Sequence, residues 1–265
     1  MTEAEILFSQ VLNCDRMSLY SNRALTLDEK VRKFIASVLK RRIQGEPVQY
    51  ILGKTEFMGL EFKVRPGVLI PRPETEVLVE TVIKKLKTQN SKLKSLRILE
   101  LGTGSGCIAV SLAKLLHGIE INAIDVSETA LEVAKENAVM NQVSERIKFY
   151  KSDLFSSYTV RGTRYDFIIS NPPYIASEEI DTLQPEIAHE PRIALDGGKD
   201  GLDFYRRLGS LAGRYLKENG LLVLEIGFGQ LKKIENIFQN SKNFEIIEVA
   251  KDYNNIDRVV VAKII

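Results

Sequence analysis

The segment richest in usable chemistry is Asn171-Pro172-Pro173-Tyr174. Two successive prolines fix φ and remove two backbone donors, which leaves the carbonyls of Asn171 and Pro172 free as acceptors. Asn171 adds a side-chain carbonyl, and Tyr174 a flat aromatic wall. Fixed acceptors beside an aromatic face suit a planar –NH2 group, whose two N–H bonds can be held while the nitrogen is aimed at an electrophile. An amide or aniline-like nitrogen is a poor nucleophile because its lone pair is delocalised. Orientation and polarisation must therefore supply much of the barrier reduction. By itself the tetrapeptide also reads as a plain turn after a buried strand, and only its surroundings decide between the two. No Ser-His-Asp or Cys-His pairing accompanies it, and His117 and His189 read as structural or solvent-exposed.

The second cluster is Glu100-Leu101-Gly102-Thr103-Gly104-Ser105-Gly106. Glycines at a strand-to-helix junction allow a tight turn and let a ligand approach the backbone unobstructed. Gly102, Gly104 and Gly106 make G-x-G-x-G, not the dinucleotide G-x-G-x-x-G, and the Gly-Lys-Ser/Thr of a P-loop is missing, which excludes that class of NTPase. Asp125 lies 19 residues beyond Gly106 at the end of a candidate strand, where a carboxylate meets ribose hydroxyls. Asp153, at the end of the next strand, is placed to lie beside an adenine. A glycine cluster can also be a turn without a ligand, but the spacing to Asp125 favours a nucleoside-containing cofactor. Without the third phosphate-packing glycine, S-adenosyl-L-methionine, which has no pyrophosphate, is preferred to NAD. Its sulfonium methyl would be the electrophile.

The elements needed to position these residues are legible from Leu96 onward. Candidate strands are Arg97–Leu101, Ile119–Asp125, Ile147–Asp153, Asp166–Asn171, Leu221–Ile226, Phe244–Val249 and Arg258–Lys263. Helices fit at Cys107–Leu116, Ser127–Asn141, Leu202–Asn219 and Gln230–Asn240. Alternation of this kind specifies a parallel sheet covered on both faces, with ligands beyond the carboxyl ends of the strands. Only Ala250–Asp257 separates the last two strands, too little for a helical crossover, so they should form an antiparallel hairpin. Upstream, a helix from Glu74 to about Lys87 precedes a polar stretch, Thr88–Ser95, that reads as a surface loop. Gly45–Pro73 is punctuated by glycine and proline and reads as a small hairpin and structured loop.

The first 43 residues carry helical periodicity. Ile6, Leu7, Gln10 and Val11 lead one segment; Val31, Phe34, Ile35, Val38 and Leu39 lead another, capped at Thr26 or Asp28. The second has a basic face between Lys30 and Arg42, either a solvated surface or a partner-docking face.

Composition narrows the class. In 265 residues, 37 Lys+Arg against 35 Asp+Glu leave +2, too mild for a nucleic-acid binder recognised by bulk charge. Apolar residues at 44% and charged residues at 27% are those of a soluble globular chain. Two cysteines and two histidines argue against a disulfide scaffold and a His-built metal site, and no apolar run is long enough to span a membrane. The acidic start, Met1–Glu5, is unlike a signal peptide, so a cytoplasmic protein is expected.

Glu100–Gly106 followed by Asn171–Tyr174 resembles class I S-adenosylmethionine-dependent methyltransferases that modify an exocyclic or amide nitrogen. The segments Gly45–Gly53, Phe57–Leu60, Leu69–Glu76, Glu190–Gly201 and Glu225-Ile226-Gly227 resemble the HemK/PrmC family of release-factor glutamine methyltransferases, over nearly the whole chain. The resemblance implies a Rossmann-like domain with a mostly parallel seven-stranded sheet and an antiparallel C-terminal strand, over residues 74–265. It also implies a helical N-terminal domain with a hairpin linker, residues 1–73, that docks the release factor. The reaction implied is methylation of the amide nitrogen (N5) of the glutamine in the Gly-Gly-Gln motif of peptide-chain release factors. Carried over by position, Gly102, Thr103, Gly104, Ser105, Gly106, Asp125, Leu154 and Asn171 contact the cofactor. Asn171, Pro172 and Pro173 hold the glutamine, and Tyr174 walls the pocket; Asn171, Pro172 and Tyr174 carry the chemistry. Arg72 and Glu74 either shape the pocket rim or have a purely structural role. His189 departs from the pattern, which has an aromatic residue there. The alternatives are a glutamine methyltransferase of a large-subunit ribosomal protein, an adenine-N6 nucleic-acid methyltransferase, and a non-catalytic binding module. Neither a membrane nor direct nucleic-acid contact is expected.

Overall fold

The computed structural model describes residues 2–21, 27–88, 96–156 and 162–265. Its largest element is a seven-stranded sheet built from β3 (Leu96–Leu101), β4 (Ile119–Asp125), β5 (Ile147–Lys151), β6 (Tyr165–Ser170), β7 (Leu216–Glu225), β8 (Phe244–Lys251) and β9 (Asp257–Ile264). The spatial order is β5-β4-β3-β6-β7-β9-β8. Every pairing from β5 to β7 is parallel, while β9 runs antiparallel to both β7 and β8. The expected terminal hairpin is therefore present, with β9 inserted between β7 and β8.

Alternation along each strand divides the sheet into two apolar faces. Ile98, Ile121, Phe167 and Val223 face one core, covered by α5 (Pro73–Thr88) and α6 (Cys107–Leu115). Leu99, Ile124, Ile168 and Leu222 face the other, covered by α8 (Asp203–Leu211) and α9 (Leu231–Ser241). The helix expected over Leu202–Asn219 stops at Leu211, followed by a single 3-10 turn and then β7 from Leu216. Leu216 pairs with Tyr165, and that strand contact outweighs the local helical pattern.

Upstream lie α1 (Glu3–Val11), α2 (Arg16–Ser21), α3 (Glu29–Ile43) and α4 (Val48–Leu52), then the hairpin β1 (Lys54–Phe57) and β2 (Leu60–Lys63). Asp28 caps α3, its carboxylate accepting from Val31 N–H at 2.7 Å; the alternative cap, Thr26, lies outside the described residues, as does most of the Thr88–Ser95 stretch. Tyr50-Ile51-Leu52, expected in the hairpin region, is helical and ends on Gly53. Leu7, Val38 and Ile51 form a small core, too narrow to cover the rest of the α3 stripe, so Phe34 and Leu39 are exposed. The hairpin turns at Met58-Gly59, both at positive φ as a two-residue turn of this twist requires. Phe57 and Phe62 pass into the main core, so the hairpin is bolted to the sheet domain. Among the described residues, no helix is long and apolar enough to cross a membrane.

Candidate active site

Register brings the two motifs together. Leu101 of β3 pairs with Ser170 of β6, so Gly102 and Asn171 leave adjacent strands side by side, and Ser170 Oγ donates to Leu101 O at 2.7 Å. The chain runs outward from β3 to β4 and β5 and then returns to β6, so this is the topological switch point at which open α/β sheets bind ligands. A cavity of about 380 Å3 opens here, in the range of small-molecule sites.

The glycine loop forms one side. Gly102, Gly104 and Gly106 all have φ between +56° and +80°. A side chain at Gly104 would meet no atom within 4 Å, so there the left-handed backbone alone demands glycine. At Gly106 a Cβ would lie 3.0 Å from Ala134 Cβ on α7 (Glu128–Met140). Gly106 therefore serves close packing of helix and loop and does not line the cavity, unlike Gly102, Thr103, Gly104 and Ser105.

Asp125 closes the loop from the neighbouring strand. Its two oxygens accept from Gly104 N–H and Ser127 N–H, each at 2.9 Å. Burial raises its pKa, and the amides of Ser127, Gly104 and Val126 oppose that rise. Each oxygen keeps a lone pair for ribose hydroxyls. Beneath the loop, Glu100 is buried and accepts from Thr103 Oγ1 at 2.7 Å. Burial, with the Asp125 charge adding to it, pushes its pKa up to about 8. Leu154 lines the cavity at φ +48°, a left-handed conformation rare for a branched side chain, and its carbonyl is held by Ser152 Oγ at 3.0 Å. Asp153 lines the cavity as expected from its strand end, and Arg207, another lining residue, donates to both of its carboxylate oxygens, at 2.8 and 2.9 Å.

On the opposite side, Asn171 and Pro173 line the cavity and Pro172 is buried behind them. Asn171 Nδ2 donates to Thr75 Oγ1 at 3.1 Å. Tyr174 is not among the lining residues, contrary to its expected place as a wall. Its hydroxyl donates to Glu225 Oε1 at 3.4 Å, and its carbonyl accepts from Gln230 Nε2 at 2.8 Å. The ring packs against the core behind the loop. Burial and the Glu225 charge push the Tyr174 hydroxyl pKa upward, which keeps it protonated.

Arg72 lines the cavity and ion-pairs with buried Glu190, whose other oxygen accepts from Ile70 N–H at 3.0 Å. Glu74 is not among the lining residues. His189 Nε2 lies 3.4 Å from Gln44 O at the end of α3, so the departure from an aromatic residue marks a polar contact between the two regions. Thr75, Ile193, Phe204 and Arg207 also line the cavity. Of these, Thr75 and Ile193 had a signal in the sequence, lying within Leu69–Glu76 and Glu190–Gly201; Phe204 and Arg207 are brought in by α8.

An open glycine backbone, a carboxylate with spare lone pairs and an apolar-walled cavity fit S-adenosyl-L-methionine. Known proteins agree. Residues 72–202 match the Methyltransferase small domain and residues 1–53 the PrmC N-terminal domain. The chain is 41% identical over 263 residues to the release factor glutamine methyltransferase of Clostridium acetobutylicum, covering 99% of this chain and 90% of that protein. It is 43% identical over 260 residues to the enzyme of that name from Thermodesulfovibrio yellowstonii, covering 98% and 91%. Among solved structures, the catalytic domain of human Mettl16 in complex with an RNA hairpin superposes with a TM-score of 0.63 at 18% identity, over 83% of each chain. At that identity the likeness is one of fold. By its relatives over nearly its full length, the chain belongs to the release factor glutamine methyltransferase family.

Proposed function

We propose that this enzyme methylates the side-chain amide nitrogen of the glutamine in the Gly-Gly-Gln motif of peptide-chain release factors. S-adenosyl-L-methionine supplies an electrophilic methyl group on sulfur. The observation that carries the reading is the convergence of the glycine loop, Asp125 and Asn171 on one cavity at the switch point of the sheet.

Gly102–Ser105, Asp125 and Leu154 hold the cofactor. Asn171 Oδ1 and the Pro172 carbonyl accept the two N–H bonds of the glutamine amide, which orients the nitrogen and raises its electron density. One N–C bond forms as one S–C bond breaks. The nitrogen then sheds one proton to water, so no side chain need act as general base. Arg72, tied to Glu190, shapes the rim. In the division of labour we infer, residues 1–73 dock the release factor and residues 74–265 perform the transfer. The work belongs to the cytoplasm, where release factors act, with no membrane or nucleic-acid partner.

The test is methyl transfer to an unmodified release factor, read by peptide mass spectrometry. One added methyl on the Gly-Gly-Gln peptide, absent with Asn171→Ala, supports substrate and site together. No transfer while the cofactor still binds would send the assignment to a ribosomal protein or to DNA.

A further inference from the structure

Gln230 stands at the N-cap of α9, where a short polar side chain usually accepts from the first free amides of the helix. It makes no such cap. Its amide reaches back over the carboxyl end of the sheet and holds three loops together. Oε1 accepts from Gly227 N–H at 3.0 Å, just past the end of β7. Nε2 donates to Tyr174 O at 2.8 Å and to Gly201 O at 3.3 Å. Gln230 is not among the residues lining the cavity. Farther along α9, Ile234 and Phe238 are buried in the core, so the helix that carries Gln230 is fixed against the sheet.

The Asn171–Tyr174 loop needs an anchor of this kind. Pro172 and Pro173 have no N–H, so neither can tie the loop down by donating. Upstream the loop is fixed at Ser170, which pairs with Leu101 and Leu224. Downstream the backbone is held at Tyr174 O by Gln230 and then at Ile175. There the N–H donates to Leu195 O at 3.0 Å and the carbonyl accepts from Gly197 N–H at 2.8 Å. The fit between the layers is close. A Cβ on Gly197 would lie 2.8 Å from Pro173 O, and one on Gly201 would strike Tyr174 O.

We propose that Gln230 is a positioning residue for methyl transfer: by gripping Tyr174 O it sets where the Pro-Pro segment presents Asn171 Oδ1 and the Pro172 carbonyl to the substrate amide. The inference rests on the reading of those two oxygens as the acceptors of the glutamine amide. With φ fixed at both prolines, a displacement at Tyr174 passes back along the loop and is not absorbed within it. A misplacement of about 1 Å is enough to cost on the order of 100-fold in rate. The position calls for a carboxamide, whose carbonyl accepts from Gly227 while its NH2 donates to two carbonyls. A glutamate there could keep the bond to Gly227, but its second oxygen would face Tyr174 O and Gly201 O, acceptor against acceptor.

Two measurements on the full chain test this. In release-factor methylation, Gln230→Glu and Gln230→Met should each lower kcat on the order of 10- to 100-fold, with the KM for S-adenosyl-L-methionine within about threefold of wild type. Gly201→Ala presses on the same carbonyl from the other side and should do likewise. Gly162→Ala is the matched control: its φ of +78° is close to the +73° of Gly201, but its Cβ meets no atom within 4 Å. It should lower the melting temperature as far as backbone strain does and leave kcat unchanged. With 15N-labelled asparagine, the Asn171 side-chain NH2 resonance, identified by its loss in Asn171→Ala, should shift in both Gln230 variants and in Gly201→Ala, and stay in place in Gly162→Ala. Wild-type kcat or an unmoved Asn171 resonance in folded Gln230→Met would overturn the proposal, as would an equal loss of rate in Gly162→Ala and Gly201→Ala. Gly201→Ala decides should neither Gln230 variant fold. If the wild type does not methylate a release factor, the substrate reading fails, and the Asn171 resonance still decides whether Gln230 positions the loop.

Discussion

Asn137 binds both backbone polar groups of Lys63: Lys63 N–H donates to Asn137 Oδ1 at 2.7 Å, and Lys63 O accepts from Asn137 Nδ2 at 3.0 Å. The same Nδ2 donates to Ser105 O at 2.8 Å. One fully buried side chain on α7 thereby ties the hairpin to the glycine loop. Asn137→Ala removes all three bonds and strands buried backbone groups. It should destabilise the protein by about 2–4 kcal/mol in denaturant melts. It should also weaken cofactor binding, because the loop loses its brace, and calorimetry on the folded variant will read that loss.

Asn171→Ala deletes the amide proposed to hold the substrate without touching the glycine loop or Asp125. A loss in kcat on the order of 100-fold or more is expected, with cofactor affinity within about threefold of wild type. Single-turnover methyl transfer and calorimetry check the two halves; parallel collapse of binding and rate would contradict the division of roles.

Gly106→Val combines a left-handed backbone at φ +80° with a side chain driven into Ala134. The variant should lose at least about 2 kcal/mol of stability, against about 1 kcal/mol for Gly104→Ala, where only the backbone resists. Chemical denaturation of the two variants side by side tests the ranking.

Glu100 links stability to pH. Its ordinary pKa of 4.5 is the unfolded value, and burial raises the folded value to about 8. The stability associated with neutral Glu100 is thus fully present below about pH 4.5 and is lost as pH rises through 8. Glu225, raised to about 7, acts in the same direction. Melting temperature followed from pH 5 to 9 should decline less steeply in Glu100→Gln than in the wild type. Parallel curves would show that Glu100 does not carry the linkage.

The glycine loop, Asp125 and Asn171 are readable from the chain because each is a local arrangement: a strand end, a left-handed turn, a carboxylate at fixed spacing. The seven strands were readable for the same reason, since buried strands carry short apolar runs bounded by turn residues. The errors fall where a distant partner wins. Ala212–Asn219 has a passable helical pattern, but Leu216 is taken up by Tyr165. Phe34 and Leu39 fit an apolar stripe that the three-residue core beneath α3 is too small to cover.

Tyr174 is the sharpest case. Its aromatic ring and its place beside Asn171 point to a pocket wall, while Glu225 on the next strand and Gln230 beyond it draw hydroxyl and carbonyl the other way. Sequence alone determined the strands of the sheet and the residue types proposed to meet a methyl donor and an amide, because these follow from periodicity and backbone stereochemistry. Only the tertiary structure decided that Asn171 reaches Thr75 and that Asn137 braces the loop. Those contacts join residues far apart in sequence, and they depend on strand order and register, which no local pattern encodes.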